Sequence, residues 1–117
     1  MKIQPFSFNQ SPSSVLESFL DQVYQSNMSY LASSLLEKGL TTEDISDAIN
    51  RAFKICEAAG IPTREHFCFL YTQSNLGVMK DCKLSRLAFD LVLLNANPQN
   101  KAVSSFQLRV LSILQSK

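Results

Sequence analysis

The side chains best suited to chemistry are one histidine and three cysteines. His66 lies two positions from Cys68, and a histidine base beside a thiol is the pair that nucleophilic catalysis needs. If the segment is helical, positions two apart point about 200° away from each other, so these two side chains diverge. We therefore interpret His66 as a structural residue that caps or packs against a helix.

The same four residues equal the ligand count of a structural zinc site. The spacings from Cys56 to His66, from Cys56 to Cys68 and from Cys68 to Cys82 are 10, 12 and 14 residues. Compact zinc modules instead bring their ligands in close pairs. The chain also contains no phosphate-binding, dinucleotide-binding or common hydrolase motif. The sequence predicts no catalytic residue, no cofactor and no metal site.

Cysteine number and the N-terminal residues predict the compartment. Three widely spaced cysteines are odd in number, whereas small secreted domains use an even set of disulfides. The first residues lack the unbroken apolar run of a secretory signal, and the longest aliphatic run is four residues, 91–94. We expect a soluble cytoplasmic protein that does not bind membranes.

One basic cluster comprises Lys80, Lys83 and Arg86. On a helix this spacing places the three side chains along one edge. The chain has 11 basic and 10 acidic residues, and a net charge of +1 gives no overall field toward phosphate. We therefore expect the cluster to bind an acidic protein surface rather than nucleic acid; an ordinary solvated face is the alternative.

The apolar pattern that must position these residues has a helical period. No segment shows sustained alternation between hairpin signals, so no strand is predicted. The predicted fold is all-α, a single compact bundle of about five helices. The expected division is an extended arm over 1–12, a long first helix over 13–39 and a helical core over 40–117. Within the core, helices are predicted from Thr41 or Thr42 to Gly60, from Thr63, from about Asp81 to Asn95, and from Pro98 with Asn97 as its cap. The second helix should bury a stripe formed by Ile45, Ala48, Ile49, Ala52, Phe53 and Cys56, and the last should bury Val103, Phe106, Val110, Leu111 and Leu114. Gln107 is expected to bond back to the turn before the last helix.

The first helix is long for a chain of this size. Unbroken, it would extend about 36 Å, whereas a globule of this length is only about 35 Å across. It therefore either breaks near residues 27–29 or packs on a second copy. Its apolar stripe is the expected self-association surface, formed by Leu16, Phe19, Leu20, Val23, Tyr24 and Leu31.

Two blocks of residues between positions 51 and 110 share the order and spacing of a known family. The first comprises Ala52, Cys56, Gly60, His66 and Phe67; the second comprises Lys83, Leu84, Ser85, Arg86, Ala88, Asn95, Ala96, Pro98 and Gln107. In these positions the chain resembles the DNA-damage-inducible protein D family. It departs from the family at Leu87, where a tyrosine is usual, at 109–110, where an aromatic pair is usual, and in lacking the larger N-terminal portion.

The resemblance implies a bacterial or prophage protein of the SOS response. We expect a non-enzymatic antirepressor-like protein that binds a transcriptional repressor; the alternative is a modulator of RecA-type recombinase filaments, and the third is a DNA-binding regulator. A protein-binding role agrees with the near-neutral charge and with the amphipathic first helix, which suits helix-in-groove binding. We interpret the shared residues as a structural signature; the alternative is a functional site around Leu84, Ser85 and Arg86.

Overall fold

The computed structural model describes residues 12–75 and 77–116, and there four α-helices pack with a three-stranded antiparallel sheet. In chain order the elements are α1 (Pro12–Ser26), β1 (Tyr30–Leu31), a 3₁₀ segment (Ala32–Lys38), α2 (Thr42–Ala58), a short 3₁₀ turn (Thr63–Glu65), β2 (Phe67–Ser74), β3 (Gly77–Leu84), α3 (Arg86–Leu94) and α4 (Lys101–Gln115). The strand order is β1-β3-β2, so β3 is central. The fold is mixed α/β, and the all-α prediction is wrong.

The error lies in the hairpin formed by β2 and β3. The strands pair along their whole length, from Phe67 opposite Leu84 to position 74 opposite Gly77. Gly77 has a φ of 111°, which a glycine adopts without strain at so tight a turn. The alternation of buried and exposed residues that identifies a strand is absent. Phe67, Phe69 and Tyr71 point to the same face of the sheet, but only Phe67 is buried. The apolar residues therefore do not alternate with polar ones.

The hairpin also shifts the neighbouring helix boundaries. The helix expected from Thr63 is only the 3₁₀ turn, and the helix expected from about Asp81 begins at Arg86. Ser85 is its N-cap, with the hydroxyl accepting a 3.1 Å hydrogen bond from the Ala88 backbone N–H. Such a cap satisfies one of the free N–H groups at the start of a helix.

The predicted first helix over 13–39 is interrupted. Of the two outcomes left open, the break is observed: α1 ends at Ser26, and β1 then pairs with the end of β3. The following 3₁₀ segment buries Ala32 and Leu35 in the core. Helix length therefore no longer supports the prediction that the chain self-associates. Residues 1–11 of the expected arm lie outside the described residues, and Pro12 already belongs to α1.

The core forms where α2 packs against α3, the 3₁₀ segment and the inner half of the hairpin. The predicted stripe of α2 is confirmed: Ile45, Ala48, Ile49, Ala52 and Cys56 are buried, and Phe53 is half-buried against them. Thr41 begins α2 through a capping box with Asp44, as a threonine followed by acids predicts. On the opposite side Leu84 and Val92 are inaccessible to solvent, so this half of the molecule is tightly packed.

The last helix packs less than its pattern indicates. Asn100, and not Asn97, caps α4 by accepting from the Val103 N–H. Val103 is buried, but Leu111 and Leu114, which we expected in the core, are exposed because the C-terminal half of α4 extends past the helices beneath it. Within residues 12–75 and 77–116 no helix has both the length and the apolar character needed to cross a bilayer.

Candidate functional site: a groove beside the hairpin

A groove lies between α2, the 3₁₀ segment and the outer half of the hairpin, with a cavity of about 800 Å³. One wall is the first half of α2, the other is the start of the 3₁₀ segment, and the floor is the middle of β2 and β3. Its lining residues are Ala32, Ser33, Leu36, Thr42, Glu43, Ile45, Ser46, Ile49, Asn50, Phe69, Leu70, Tyr71, Met79, Lys80, Asp81 and Cys82.

The groove exists because the hairpin is longer than the surface that covers it. At its base Phe67 packs edge-on against Phe53 of α2, with ring centroids 5.3 Å apart. Phe69 still reaches Phe53 at 6.0 Å, but 60% of Phe69 and 69% of Tyr71 remain exposed. Exposed aromatic side chains beside an apolar groove are typical of binding surfaces, since water contact with them costs free energy.

Asp81 is the buried charged residue of the groove, with 7% of its surface exposed. Its Oδ1 accepts hydrogen bonds from the backbone N–H groups of Ser33, at 3.0 Å, and Cys82, at 2.8 Å. The carboxylate thus ends the β1–β3 ladder, which pairs only two residues, and holds the first turn of the 3₁₀ segment. Its Oδ2 is buried and has no hydrogen-bond partner among the described residues.

The charges in the groove are few and favour a cationic group. Glu43 and Asp81 are acidic, and Lys80 is the one basic residue among those lining the groove. Glu43 lies in the first turn of α2, where the helix dipole stabilises an acid. Lys80 and Asp81 are adjacent on β3, so their side chains point to opposite faces of the sheet. The buried carboxylate is therefore not neutralised by its neighbour.

The predicted basic cluster does not share a helical edge. Lys80 and Lys83 lie on β3 and, three positions apart, face opposite sides of the sheet. Arg86 is the first residue of α3, and its Nε lies 3.7 Å from Asp90 Oδ2 in an exposed pair of little energetic weight. The predicted arrangement is wrong because it assumed a helix over 81–95; a binding role for the three residues stays a prediction.

The predicted self-association stripe is partly exposed. Leu16, Phe19 and Val23 are exposed on α1, while Leu20 and Tyr24 are half-buried. Leu31 is also exposed, but it lies on β1 and so is not part of the helix that carries the other five residues. A second copy binding to this stripe stays a prediction.

The remainder of α1 is fixed by polar contacts to the 3₁₀ turn. Arg64 lies 3.4 Å from Asp21 and stacks over the ring of Tyr24, with its guanidinium carbon 5.6 Å from the ring centroid. These contacts hold α1 against the 3₁₀ turn, and Tyr24 of the predicted stripe takes part in them.

Several signature residues have structural positions. Phe67 and Leu84 are buried opposite each other in the hairpin. Gly60 has a φ of 76° just beyond α2, as a helix-ending glycine should. His66 Nδ1 lies 2.7 Å from the Ser85 hydroxyl, and the Ser85 N–H donates to the His66 carbonyl. This pair joins the start of β2 to the start of α3, in agreement with a structural histidine.

The remaining signature residues stabilise the turn between α3 and α4. As predicted, Gln107 bonds back to this turn, with its amide donating to the Leu93 carbonyl at 3.2 Å and reaching two neighbouring carbonyls. The Asn95 amide donates to the Leu91 carbonyl at 2.8 Å, which closes the last turn of α3. Pro98 lies exposed within the turn.

Two of the three thiols, Cys68 and Cys82, lie on the paired strands of the hairpin, and the third, Cys56, lies on α2. Burial raises the pKa of Cys82 to about 12 and also raises the pKa of Cys56, so both stay protonated at neutral pH. All three cysteines are free. Among residues 12–75 and 77–116, no three histidine, cysteine or acidic side chains lie close enough to share a metal ion.

Neither the groove nor a role for Asp81 was predicted from the sequence. Two signals were present: an aspartate next to Cys82 and close to the apolar pair 78–79, and three aromatic residues within β2. Neither is informative until the hairpin is recognised.

Comparison of the chain with protein-family models, with curated proteins and with solved structures finds no match.

Proposed function

We propose that this chain is a non-enzymatic binding protein whose groove beside the hairpin takes an extended segment of a partner protein. The observation that carries the proposal is the open cavity of about 800 Å³ flanked by the exposed rings of Phe69 and Tyr71. A cavity of that size accommodates several side chains, and aromatic residues are enriched where proteins bind one another.

The edge of β3 favours an extended segment. β1 pairs with Leu84 and Lys83 and then turns away, so no strand among the described residues covers this edge at positions 78–80. An exposed strand edge can bind an incoming strand through backbone hydrogen bonds, while neighbouring pockets select its side chains. The groove lies beside this edge and supplies such pockets.

Charge favours a protein over nucleic acid as the partner. The groove contains two acidic side chains and one basic one, and the chain as a whole has a net charge of +1. Binding to DNA or RNA depends mainly on contacts between basic side chains and phosphates. The surface beside the hairpin lacks such a set.

The resemblance to the DNA-damage-inducible protein D family supports a class of partner. On that basis we propose an antirepressor-like role, in which the groove binds a segment of a transcriptional repressor in the cytoplasm and removes it from DNA. Modulation of a RecA-type filament is the alternative, through the same kind of segment binding. The free state of all three cysteines agrees with a reducing compartment.

A selection from random peptides displayed on phage, with the full chain as bait, tests the binding role. The dissociation constants of selected peptides would then be measured by calorimetry for the wild type, for Tyr71→Ala in the groove and for Leu108→Ala on α4. Leu108 is a matched control because its exposed fraction, 67%, is close to that of Tyr71 and because it lies outside the groove.

We expect Tyr71→Ala to weaken binding about tenfold or more, which is the effect of removing a central aromatic contact. Leu108→Ala should leave the affinity within about twofold, since peripheral contacts contribute little. Selected peptides that bind both variants as well as the wild type, or that lose affinity only with Leu108→Ala, would contradict the groove as the binding site.

A further inference from the structure

The carboxylate of Asp81 contains an oxygen that the fold does not use. Oδ1 accepts two backbone hydrogen bonds, but Oδ2 is buried without a partner among the residues that the structure describes. Asp81 also lines the groove. Buried polar atoms in native proteins are nearly always hydrogen-bonded, so an exception calls for an explanation. A ligand that donates to Oδ2 provides one.

No side chain around Asp81 donates a hydrogen bond to Oδ2 in the part of the chain that the structure describes. Leu70 lies directly opposite in the ladder, and Met79 lies two residues along β3, on the same face of the sheet. Lys83 also lies on this face, two residues away in the other direction. Neither ion pair between described residues includes Lys83. Leu70 and Met79 are half-buried and line the groove, so their flexible side chains border the approach to Asp81.

We infer that Asp81 selects a basic side chain, an arginine or a lysine, on the segment that the groove binds. The inference rests on the proposed function and specifies the chemistry of its ligand. A cationic N–H group supplies both the missing donor and the opposite charge, and hydrogen bonds between charged groups are about twice as strong as neutral ones. The remaining groove residues would contact the apolar neighbours of that side chain.

Two short peptides provide the test. Both are capped at each end and carry a central residue between two phenylalanines; the centre is arginine in one and citrulline, its neutral isostere, in the other. Each is titrated at millimolar concentration into the isotope-labelled full chain, and backbone amide shifts are followed by NMR. The N–H groups of Ser33 and Cys82 report directly, because both donate to the Asp81 carboxylate.

In the wild type we expect the arginine peptide to bind about tenfold more tightly than the citrulline peptide, since only the former offers a charge. Asp81→Asn keeps the shape and should reduce this preference below about twofold. Asp47→Asn is the matched control: it removes one negative charge from the exposed face of α2 and should keep the preference.

Three results would overturn the inference. If both peptides shift the groove amides with equal affinity, the groove binds segments but does not select a basic residue, and the proposed function stands. The same holds if Asp81→Asn keeps the tenfold preference. If neither peptide shifts the groove amides, the inference and the proposed function both fail. Equal affinities of the two peptides for the wild type overturn the inference even if a variant folds poorly.

Discussion

Replacing Asp81 by asparagine and by alanine separates what the carboxylate does for folding from what it does for binding. The fold uses Oδ1, which accepts from the N–H groups of Ser33 and Cys82, and does not use Oδ2. Asparagine retains an acceptor oxygen and removes the charge, whereas alanine removes both. The two variants therefore have different expected stabilities.

The magnitudes follow from these contacts. Alanine leaves two buried backbone donors without their acceptor, at about 1–3 kcal/mol each, which is a loss of about 2–6 kcal/mol. Alanine also removes the uncompensated charge, which returns about 2 kcal/mol, so we expect a net loss of up to about 4 kcal/mol. Asparagine weakens the same two bonds by removing the charge, at about 1 kcal/mol each. It also removes a buried, uncompensated carboxylate, which gains a similar amount or more. Asp81→Asn should therefore stay within about 1 kcal/mol of the wild type.

Urea denaturation followed by circular dichroism measures both free energies of unfolding. A free energy of unfolding well below that of the wild type for Asp81→Ala, and close to it for Asp81→Asn, would show that folding needs the acceptor but not the charge. If asparagine loses as much as alanine, the charge itself stabilises the fold, and the reason for assigning Oδ2 to a ligand disappears.

Three other predictions concern pH dependence, self-association and the α3–α4 turn. Because burial raises the pKa of Cys82 to about 12, the folded chain keeps a proton that the unfolded chain releases above about pH 9. The free energy of unfolding should therefore fall by up to about 1.4 kcal/mol per pH unit above about pH 9. Urea unfolding at several pH values should show a smaller fall for Cys82→Ala than for the wild type. Phe19→Lys should convert any dimer to monomer in light scattering, since it charges the exposed stripe of α1; a monomeric wild type at high concentration would refute self-association. Gln107→Ala should cost about 1–2 kcal/mol by removing the bonds to the α3–α4 turn, while thermal melts should show almost no change for the exposed Gln115→Ala.

The helices were predictable where one apolar stripe meets one cap. In α2 the threonine cap, the acids of the first turn and the stripe from Ile45 to Cys56 all favour the same structure, and the structure confirms each of them. The bond from Gln107 back to the preceding turn was predictable too, because the spacing places the two on facing surfaces. Local signals sufficed where they agreed.

The hairpin was not predictable, because its stability comes from pairing and not from a local pattern. Phe67 and Leu84 are buried, but further along both strands the residues on the same face become exposed, so the alternation that identifies a strand is absent. Spacing of three between Lys80 and Lys83 then resembles a helical edge. Strand propensity depends on such tertiary context more than helix propensity does.

The candidate site escaped prediction for the same reason. Its floor is the outer half of the hairpin, and its buried acid, Asp81, is fixed by the N–H of Ser33, 48 residues away in the chain. No spacing rule relates two such positions. The structural role of His66, in contrast, followed from the sequence because the neighbouring residues offered it no catalytic partner.

The most direct test of the central claim is to locate a bound segment on the full chain. A peptide from the phage selection would be titrated into labelled protein, and the largest backbone amide shifts mapped by NMR. We expect these shifts to fall on residues 32–36, 42–50, 69–71 and 79–82, which enclose the groove. Largest shifts on the exposed stripe of α1 or on the C-terminal half of α4, with the groove amides unchanged, would contradict the central claim.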